Sequence, residues 1–366
     1  MDEQFSSHRL TIARQRRGLF KQELAARVGV SATTMSLWEN AKTPPSEQHL
    51  DALARELDFP VSFFFGDVPP MLDRAAFRSL ARMTARQRHM ALAAGSQAVQ
   101  LDLWIESQFT RPEPNVPDLR ELDPEGAAEA VRAAWGLGFK PVPNFIHTLE
   151  AHGVRVYSLV HDGSEIDAFS DWQGDRPFIF LNTTKTAERS RMDCAHELGH
   201  LVLHAHTAGG VTKQHEDEAQ AFAAAYLMPK AAFLASTPHR ITLPAIVEAK
   251  QRWGVSALAY VHRLHRLDRI TDWQYQSLCI QIKSRYGKTE PGGERPRETS
   301  QVLAKVFAPA NDGRAVSRTA VAKHLRIHAR DLNEITFGLT LVSMAGGGQT
   351  RAQSYVPVSN RLKLVE

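Results

Sequence analysis

Residues 195–204 read AHELGHLVLH, and this stretch decides how the chain around it must fold. It contains H-E-x-x-H, which on an α-helix places two imidazole rings one turn apart on the same face. Rings at that spacing can bind one Zn²⁺ together. Glu197 lies roughly 100° around the helix from His196, so its carboxylate can take a proton from a water that attacks a carbonyl group. Because the chain has 16 histidines, the pattern can also arise by chance, and the neighbouring sequence has to decide.

A third ligand is expected downstream, because a catalytic zinc site uses three protein ligands and keeps one position open. Residues 215–229 read HEDEAQAFAAAYLMP, and their small and apolar side chains form one inward stripe on a helix. Glu216 falls within roughly 40° of the centre of that stripe and Glu218 about 120° away. We therefore predict Glu216 as the third ligand, with Glu218 as the alternative if the helix begins later. A solvated acidic helix start, favoured by the helix dipole, suits Asp217 and Glu218 better.

Together these two motifs resemble those of the ImmA/IrrE metallo-endopeptidase family. The first is HELGHLVLH, which follows an asparagine and two arginines (Asn182, Arg189 and Arg191). The second is E-x-E-A-x-x-F-A-A-x-x-L-M-P, which begins at Glu216. The resemblance covers residues 130–270 and implies a gluzincin-like zinc peptidase domain that cleaves or inactivates transcriptional repressors.

The resemblance also assigns roles to individual residues. It places Zn²⁺ on His196, His200 and Glu216, with Glu197 as the general base. His204 fits the extended pattern of the family, and we interpret it as lining the site or supporting a ligand. Cys194 lies on the opposite face of the helix, where we expect it to pack in the core.

Length and composition set the broad class of the protein. A chain of 366 residues predicts two or three domains, and its hydrophobic content of 43% and charged content of 23% are ordinary for a soluble globular protein. The sequence shows no apolar run of bilayer length and no secretory signal. Its two cysteines give no disulfide framework, so we expect a cytoplasmic protein without membrane contact. A net charge of +4 is too small to identify a partner.

Residues 8–66 predict a small all-helical domain. Helices are expected at 9–17, 21–28 and 31–40, separated by glycine turns and followed by two prolines. Residues 20–58, FKQELAARVGVSATTMSLWENAKTPPSEQHLDALARELD, closely resemble the helix-turn-helix of XRE/Cro-type regulators. The resemblance implies binding of double-stranded operator DNA, and we expect a homodimer on two half-sites. The alternative is a helical protein-interaction module on the same scaffold.

The predicted DNA-binding domain divides its residues between packing and contact. The residues expected to pack the helices together are Ala25, Val30, Met35, Leu37 and Trp38. Those expected to project toward DNA are Gln22, Ser31, Thr33, Thr34 and Ser36. Residues 9–27 hold six Lys or Arg and one Glu, which suits phosphate contact, and we assign such contacts to Arg14 and Arg17.

The predicted fold class is multidomain α+β, in four segments. They are a helix-turn-helix domain (1–68), a helical connector with a Pro-rich linker (69–122), a peptidase-like domain (123–280) and a mostly helical, basic C-terminal extension (281–366). The peptidase-like segment should contain a small sheet, with strands at 154–160, 166–170 and 177–182. An open edge of that sheet could hold an extended peptide by strand addition.

The connector and the C-terminal extension are less informative. Residues 73–108 predict one long helix or two, and the arginine stripe of 74, 78, 82 and 86 is best explained as a solvated face. Residues 287–300 predict a loop. Residues 317–325 and 329–336 predict a pair of short helices, and the tail from Gly346 onward predicts disorder or an added strand.

Two functions from different classes fit this sequence. One is a regulator whose zinc peptidase domain cleaves a repressor-type protein, an antitoxin or the chain itself. The other is a DNA-binding repressor or antitoxin whose peptidase-like domain senses a signal or binds a partner without proteolysis. Replacement of Glu197 by Gln separates the two functions. It should spare binding of metal and DNA, so a loss of regulation in this variant would favour the peptidase.

Overall fold

The structure is a computed structural model that describes residues 4–72, 83–159, 168–205, 212–287, 290–291, 295–308 and 316–340. The chain divides into two units. The first contains Met1–Arg111, Tyr157–Asp167 and Gln301–Glu366, and the second contains Pro112–Val156 and Ala168–Ser300. This division differs from the four predicted segments, because the connector helix and the C-terminal helices belong to the unit of the helix-turn-helix domain.

The described elements of the first unit are mostly helices. In chain order they are α1 (Ser7–Arg16), α2 (Lys21–Arg27), α3 (Ala32–Glu39), α4 (Glu47–Leu57), a 3-10 turn (Val61–Phe64) and α5 (Ala85–Gln108). The second unit contributes α6 (Pro124–Ala134), α7 (Phe145–Ala151), β1 (Arg155–Ser158, which ends in the first unit), β2 (Phe169–Gln173), β3 (Arg176–Leu181), α8 (Ala187–Leu203), α9 (Lys213–Leu227), α10 (Lys230–Ser236), α11 (Leu243–Trp253), α12 (Ala257–Arg266) and α13 (Asp272–Tyr286). The chain returns to the first unit with α14 (Gln301–Val306), α15 (Arg318–His324) and α16 (Ala329–Thr336). This mostly helical architecture with one small sheet agrees with the predicted α+β class.

Serine hydroxyls begin three of the first four helices. Ser6, Ser31 and Ser46 each accept a hydrogen bond from a backbone N–H group three residues later, which satisfies a donor that the helix leaves unpaired. Gly18 and Gly29 follow α1 and α2 with positive φ, a conformation that glycine adopts without a Cβ penalty. The predicted helices and turns are therefore present.

Packing inside this domain follows the prediction in part. Ala25, Met35 and Trp38 are buried, as expected for the contact between α2 and α3. Leu37, however, is 40% exposed and Val30 is half-buried, so the predicted core role of Leu37 is wrong. Leu37 follows Ser36 on α3 and faces outward because Met35 and Trp38 occupy the inward face of this short helix.

Helix α16 contacts the end of α1 through ion pairs. Arg16 is buried, donates a hydrogen bond of 3.0 Å to Gln97 of α5 and pairs with Glu334 of α16. Arg17 pairs with the buried Asp331 of α16 at 2.6 Å. The two helices predicted at 317–325 and 329–336 are present as α15 and α16. They complete the first unit and are not an appended extension.

The described strands form a three-stranded sheet of order β1-β3-β2. β2 and β3 are antiparallel, with Phe169 opposite Phe180 and Ser170 opposite Ile179. α8 packs on these two strands, and α9 packs along α8. The predicted strands at 154–160 and 177–182 correspond to β1 and β3, and the part of 166–170 that the structure describes lies at the start of β2.

Residues 290–300 also belong to the second unit. They have no regular secondary structure where described, as predicted, but buried side chains bind them tightly. Glu290 pairs with Lys250 at 2.9 Å, and Glu298 pairs with Arg191 and accepts the backbone N–H of Phe145 at 2.9 Å. Where the structure describes it, the predicted loop at 287–300 is therefore held by ion pairs within the second unit.

The Pro-rich segment after residue 110 is held in a similar way. Asn115 donates its backbone N–H to the carbonyl of His152 and accepts the indole N–H of Trp135, both at 2.9 Å. The segment has no regular secondary structure, but it is held by these hydrogen bonds within the second unit. The arginines at 74, 78 and 82, the first part of the predicted helix 73–108 and the tail from Gly346 lie outside the described residues. Among the helices that are described, none is both long and apolar enough to cross a bilayer.

Candidate metal centre

Helix α8 presents the residues of the H-E-x-x-H motif. The Thr186 hydroxyl accepts the backbone N–H of Arg189 and begins the helix, which is buried along most of its C-terminal half. Cys194 is buried, as expected, and burial raises the pKa of its thiol. On another face, His196 and His200 follow each other by one turn, with their Nε2 atoms 3.1 Å apart.

Glu216 of α9 joins the two histidines. Its Oε2 lies 3.4 Å from His196 Nε2, and its Oε1 lies 3.5 Å from His200 Nε2. One ligand atom from each of the three residues lies within 4.8 Å of the others, so this group could hold a metal ion. The structure thus brings together the three predicted ligands. It places Glu218, the alternative, beside His204.

The chemistry of this group fits a metal ion. The Glu216 Oε1 atom is buried and has no hydrogen-bond partner within the described residues, which is costly for a carboxylate oxygen. Burial lowers the pKa of His200 to about 4, so this imidazole is neutral and has a lone pair to donate. Burial alone would raise the pKa of Glu216, but the imidazoles of His196 and His200 beside its carboxylate outweigh it and hold the pKa well below its usual range. Two imidazole nitrogens and one carboxylate form a donor set that suits zinc.

Gly199 lets the two helices approach closely. A Cβ atom at Gly199 would lie 3.1 Å from the Phe222 ring and 3.2 Å from the backbone of Ala219. Ala219 and Ala223 are fully buried at this contact side of α9. The small residues therefore bring α9 near enough for the short Glu216 side chain to reach the histidines of α8.

The candidate general base, Glu197, is buried and has one hydrogen-bond donor that the sequence did not reveal. Ser170 of β2 donates its hydroxyl to Glu197 Oε2 at 2.8 Å. Burial raises the pKa of Glu197 to about 7, which matches a group that must accept and return a proton near neutral pH. Strand register carries Ser170 to this position, and no motif in the sequence marks it.

His204 lies behind the candidate ligands. Its Nδ1 is 3.0 Å from His200 Nδ1, and its Nε2 is 2.9 Å from Glu218 Oε2. The ring of His215 stacks on the His204 ring with centroids 4.5 Å apart. His204 therefore contacts a candidate ligand directly, as expected, whereas Glu218 takes a place that the sequence did not predict.

The residues predicted to face DNA lie at the surface of α2 and α3. Gln22, Ser31 and Thr33 are exposed, and Thr34 and Ser36 are partly exposed. The hydroxyls of Ser31 and Thr34 also bond to each other at 2.9 Å, within the cap of α3. The face is polar and open, which is consistent with a role in contact with DNA.

The two predicted phosphate contacts need correction. Arg14 is buried and binds both carboxylate oxygens of Glu39 and the carbonyl of Leu19. Arg17 is bonded to Asp331 and to the carbonyl of Leu57. Because both guanidinium groups are already paired inside the unit, neither is available to DNA phosphate in this structure.

Two family models match the chain. Residues 7–62 match a helix-turn-helix domain, and residues 149–265 match the IrrE N-terminal-like domain of the M78 peptidases. The chain joins these two domains. The second match contains His196, His200 and Glu216, and the first contains α1–α4. Among curated proteins, none matches the sequence.

Proposed function

We propose that this protein is a DNA-binding regulator with a zinc-dependent endopeptidase site at His196, His200 and Glu216. The observation that carries the proposal is the buried Glu197 beside a His-His-Glu group with an unpaired carboxylate oxygen. Zinc in this group would supply Lewis-acid polarisation of a peptide carbonyl. The helix-turn-helix domain would locate an operator, in a homodimer that spans two half-sites, and such a partner implies a cytoplasmic protein.

Glu197 performs the proton transfers in this proposal. Its carboxylate takes one proton from the attacking water as the water oxygen bonds to the carbonyl carbon. The carboxylic acid then returns that proton to the leaving amine when the C–N bond breaks. Ser170 holds the Glu197 side chain in place during both transfers. This is the reaction expected of a gluzincin-like peptidase, and the match of residues 149–265 to an M78 peptidase domain supports the proposal.

The substrate is best placed along β2. This strand forms one edge of the described sheet, and its Ser170 contacts Glu197 directly. An extended peptide that adds to this edge as a further strand would bring its carbonyl groups toward the general base. A repressor-type protein, an antitoxin or another copy of this chain could supply such a segment.

A second function has one observation in its favour. The helix-turn-helix domain and the peptidase-like domain occur in one chain. This arrangement is expected for a repressor that senses a signal or a partner without proteolysis. The test compares the full chain with Glu197→Gln and with Asp217→Asn, an exposed control. If the peptidase proposal is correct, the wild type and both variants should bind stoichiometric zinc. The wild type and Asp217→Asn should cleave a repressor encoded nearby, and Glu197→Gln should not. Regulation that survives Glu197→Gln would favour the second function.

A further inference from the structure

His200, His204 and Glu218 form a continuous hydrogen-bonded line. The Nδ1 atoms of His200 and His204 lie 3.0 Å apart, and His204 Nε2 lies 2.9 Å from Glu218 Oε2. Gln214 donates to the other oxygen of Glu218 at 2.8 Å. The line begins at a candidate metal ligand and ends at a carboxylate of the next helix.

The direction of each hydrogen bond follows from the donors present. A carboxylate only accepts, so His204 must donate to Glu218 from Nε2. A neutral imidazole has one N–H group, and His204 Nδ1 is therefore an acceptor. His200 must then donate from its own Nδ1. This leaves His200 Nε2 without a proton, and that nitrogen is the one that faces Glu216 at 3.5 Å.

We propose that His204 and Glu218 are positioning residues that fix the tautomer and ring orientation of His200. The inference rests on the proposed metal site, for which a bare Nε2 on His200 is required. Partners that hold the far nitrogen of a ligating histidine orient the ring and increase its basicity. Here the far partner is a second histidine, and its own orientation is fixed by Glu218 and by the stacked ring of His215.

The first test measures the tautomer of His200 in the metal-free full chain, by NMR with ¹⁵N-labelled histidine. The wild type should show His200 protonated on Nδ1. His204→Phe keeps an aromatic ring but has no acceptor, so His200 should become a mixture of tautomers. His204→Asn offers a carbonyl oxygen near the position of Nδ1 and should restore the Nδ1–H form. An unchanged His200 tautomer in His204→Phe would overturn the proposal.

The second test measures zinc affinity by competition with a chelator. His204→Phe and Glu218→Ala should each bind zinc about 10- to 100-fold more weakly than wild type. The double variant should be no weaker than His204→Phe, because both changes break the same line. Asp217→Ala, which removes an exposed carboxylate from the same helix, is the matched control and should bind as wild type does. The inference would be contradicted if the losses of zinc affinity in the two single variants added up in the double variant, or if Asp217→Ala lost as much affinity as they do.

These tests separate this inference from the proposed function. If wild type and His200→Ala bind zinc equally, the proposed metal site is wrong, whatever the tautomer of His200. If wild type binds zinc tightly and His204→Phe matches it in affinity and tautomer, the metal site stands and the positioning role is wrong.

Discussion

Arg17 at the end of α1 and Asp331 of α16 form an ion pair of 2.6 Å across 314 positions of sequence. Asp331 is fully buried, and the Arg17 guanidinium also donates to the carbonyl of Leu57 at 2.7 Å. The pair links the first helix of the DNA-binding domain to the last described helix of the chain. The C-terminal helices therefore contribute to the stability of that domain.

Removal of Arg17 should destabilise the first unit. Arg17→Ala leaves Asp331 buried without its nearest charge, and breaking a buried pair in this way typically costs about 3–5 kcal/mol. Urea unfolding of the full chain measures the loss. Arg55→Ala, at an exposed position of α4, is the control and should change stability little. The double variant Arg17→Ala/Asp331→Ala should recover part of the lost free energy of unfolding. If its loss equals the sum of the losses in the two single variants, the pairing is contradicted.

Local patterns predicted which three side chains come together as candidate metal ligands, for a physical reason. The H-E-x-x-H motif sets the spacing of its two histidines within one helix. The position of the inward stripe around α9 places Glu216, and not Glu218, on the side that faces them. Arg14 and Arg17 were misassigned because their partners, Glu39 and Asp331, are distant in sequence. Charge alone cannot distinguish an arginine paired inside the fold from one that faces DNA.

Contacts that depend on strand register and on packing between distant segments could not be predicted from the sequence either. Ser170 reaches Glu197 only because β2 pairs with β3 and lies on α8. Residues 290–300 read as a loop, yet Glu298 pairs with Arg191 inside the second unit. In both cases the sequence lacks a periodic signal, because a single side chain makes the contact.

Gly199→Ala should weaken metal binding. The added Cβ would lie 3.2 Å from the backbone of Ala219, which cannot yield as a flexible side chain could. α9 must then move away from α8 and carry Glu216 with it. We expect zinc affinity to fall at least about tenfold, which corresponds to 1.4 kcal/mol.

A second glycine separates this effect from a loss of stability. Gly174 has positive φ in the turn after β2, and nothing lies within 4 Å of the position of its Cβ. Gly174→Ala should therefore cost about 1 kcal/mol of stability through backbone strain while zinc affinity stays as in wild type. Equal zinc affinity in Gly199→Ala and Gly174→Ala would show that the close helix contact does not position Glu216.

The stability of the metal-free protein should depend on pH through Glu197. Burial raises its pKa to about 7, from 4.5 in the unfolded chain. At pH 4 the carboxyl is protonated in both states and costs nothing. As pH rises through 4.5 and then 7, the folded state must increasingly hold a buried negative charge, so this residue destabilises the fold most above pH 7.

Glu197→Gln removes that penalty. Relative to wild type, its free energy of unfolding should rise between pH 4 and pH 8 by up to about 3 kcal/mol. Hydrogen exchange of the α8 amides in chelator-treated protein measures the difference. The exposed control Asp217→Asn should show no comparable rise. If the stability of Glu197→Gln relative to wild type were instead greatest at pH 4, the fold would stabilise the charged form of the Glu197 carboxyl.

Sequence-specific DNA binding should depend on the exposed face of α2 and α3. Gln22→Ala and Thr33→Ala should each lower affinity for the operator by about 1–3 kcal/mol per lost base contact, and leave non-specific binding unchanged. Arg27→Ala and Lys42→Ala, at exposed basic positions, should instead weaken binding to all sequences. Each lost phosphate contact should reduce the slope of log affinity against log salt by about 1. Binding of the full chain to promoter fragments over a range of salt concentrations distinguishes the two classes. If Thr33→Ala weakens operator and random DNA equally, α3 does not read the bases, and the protein-interaction role of this domain is favoured.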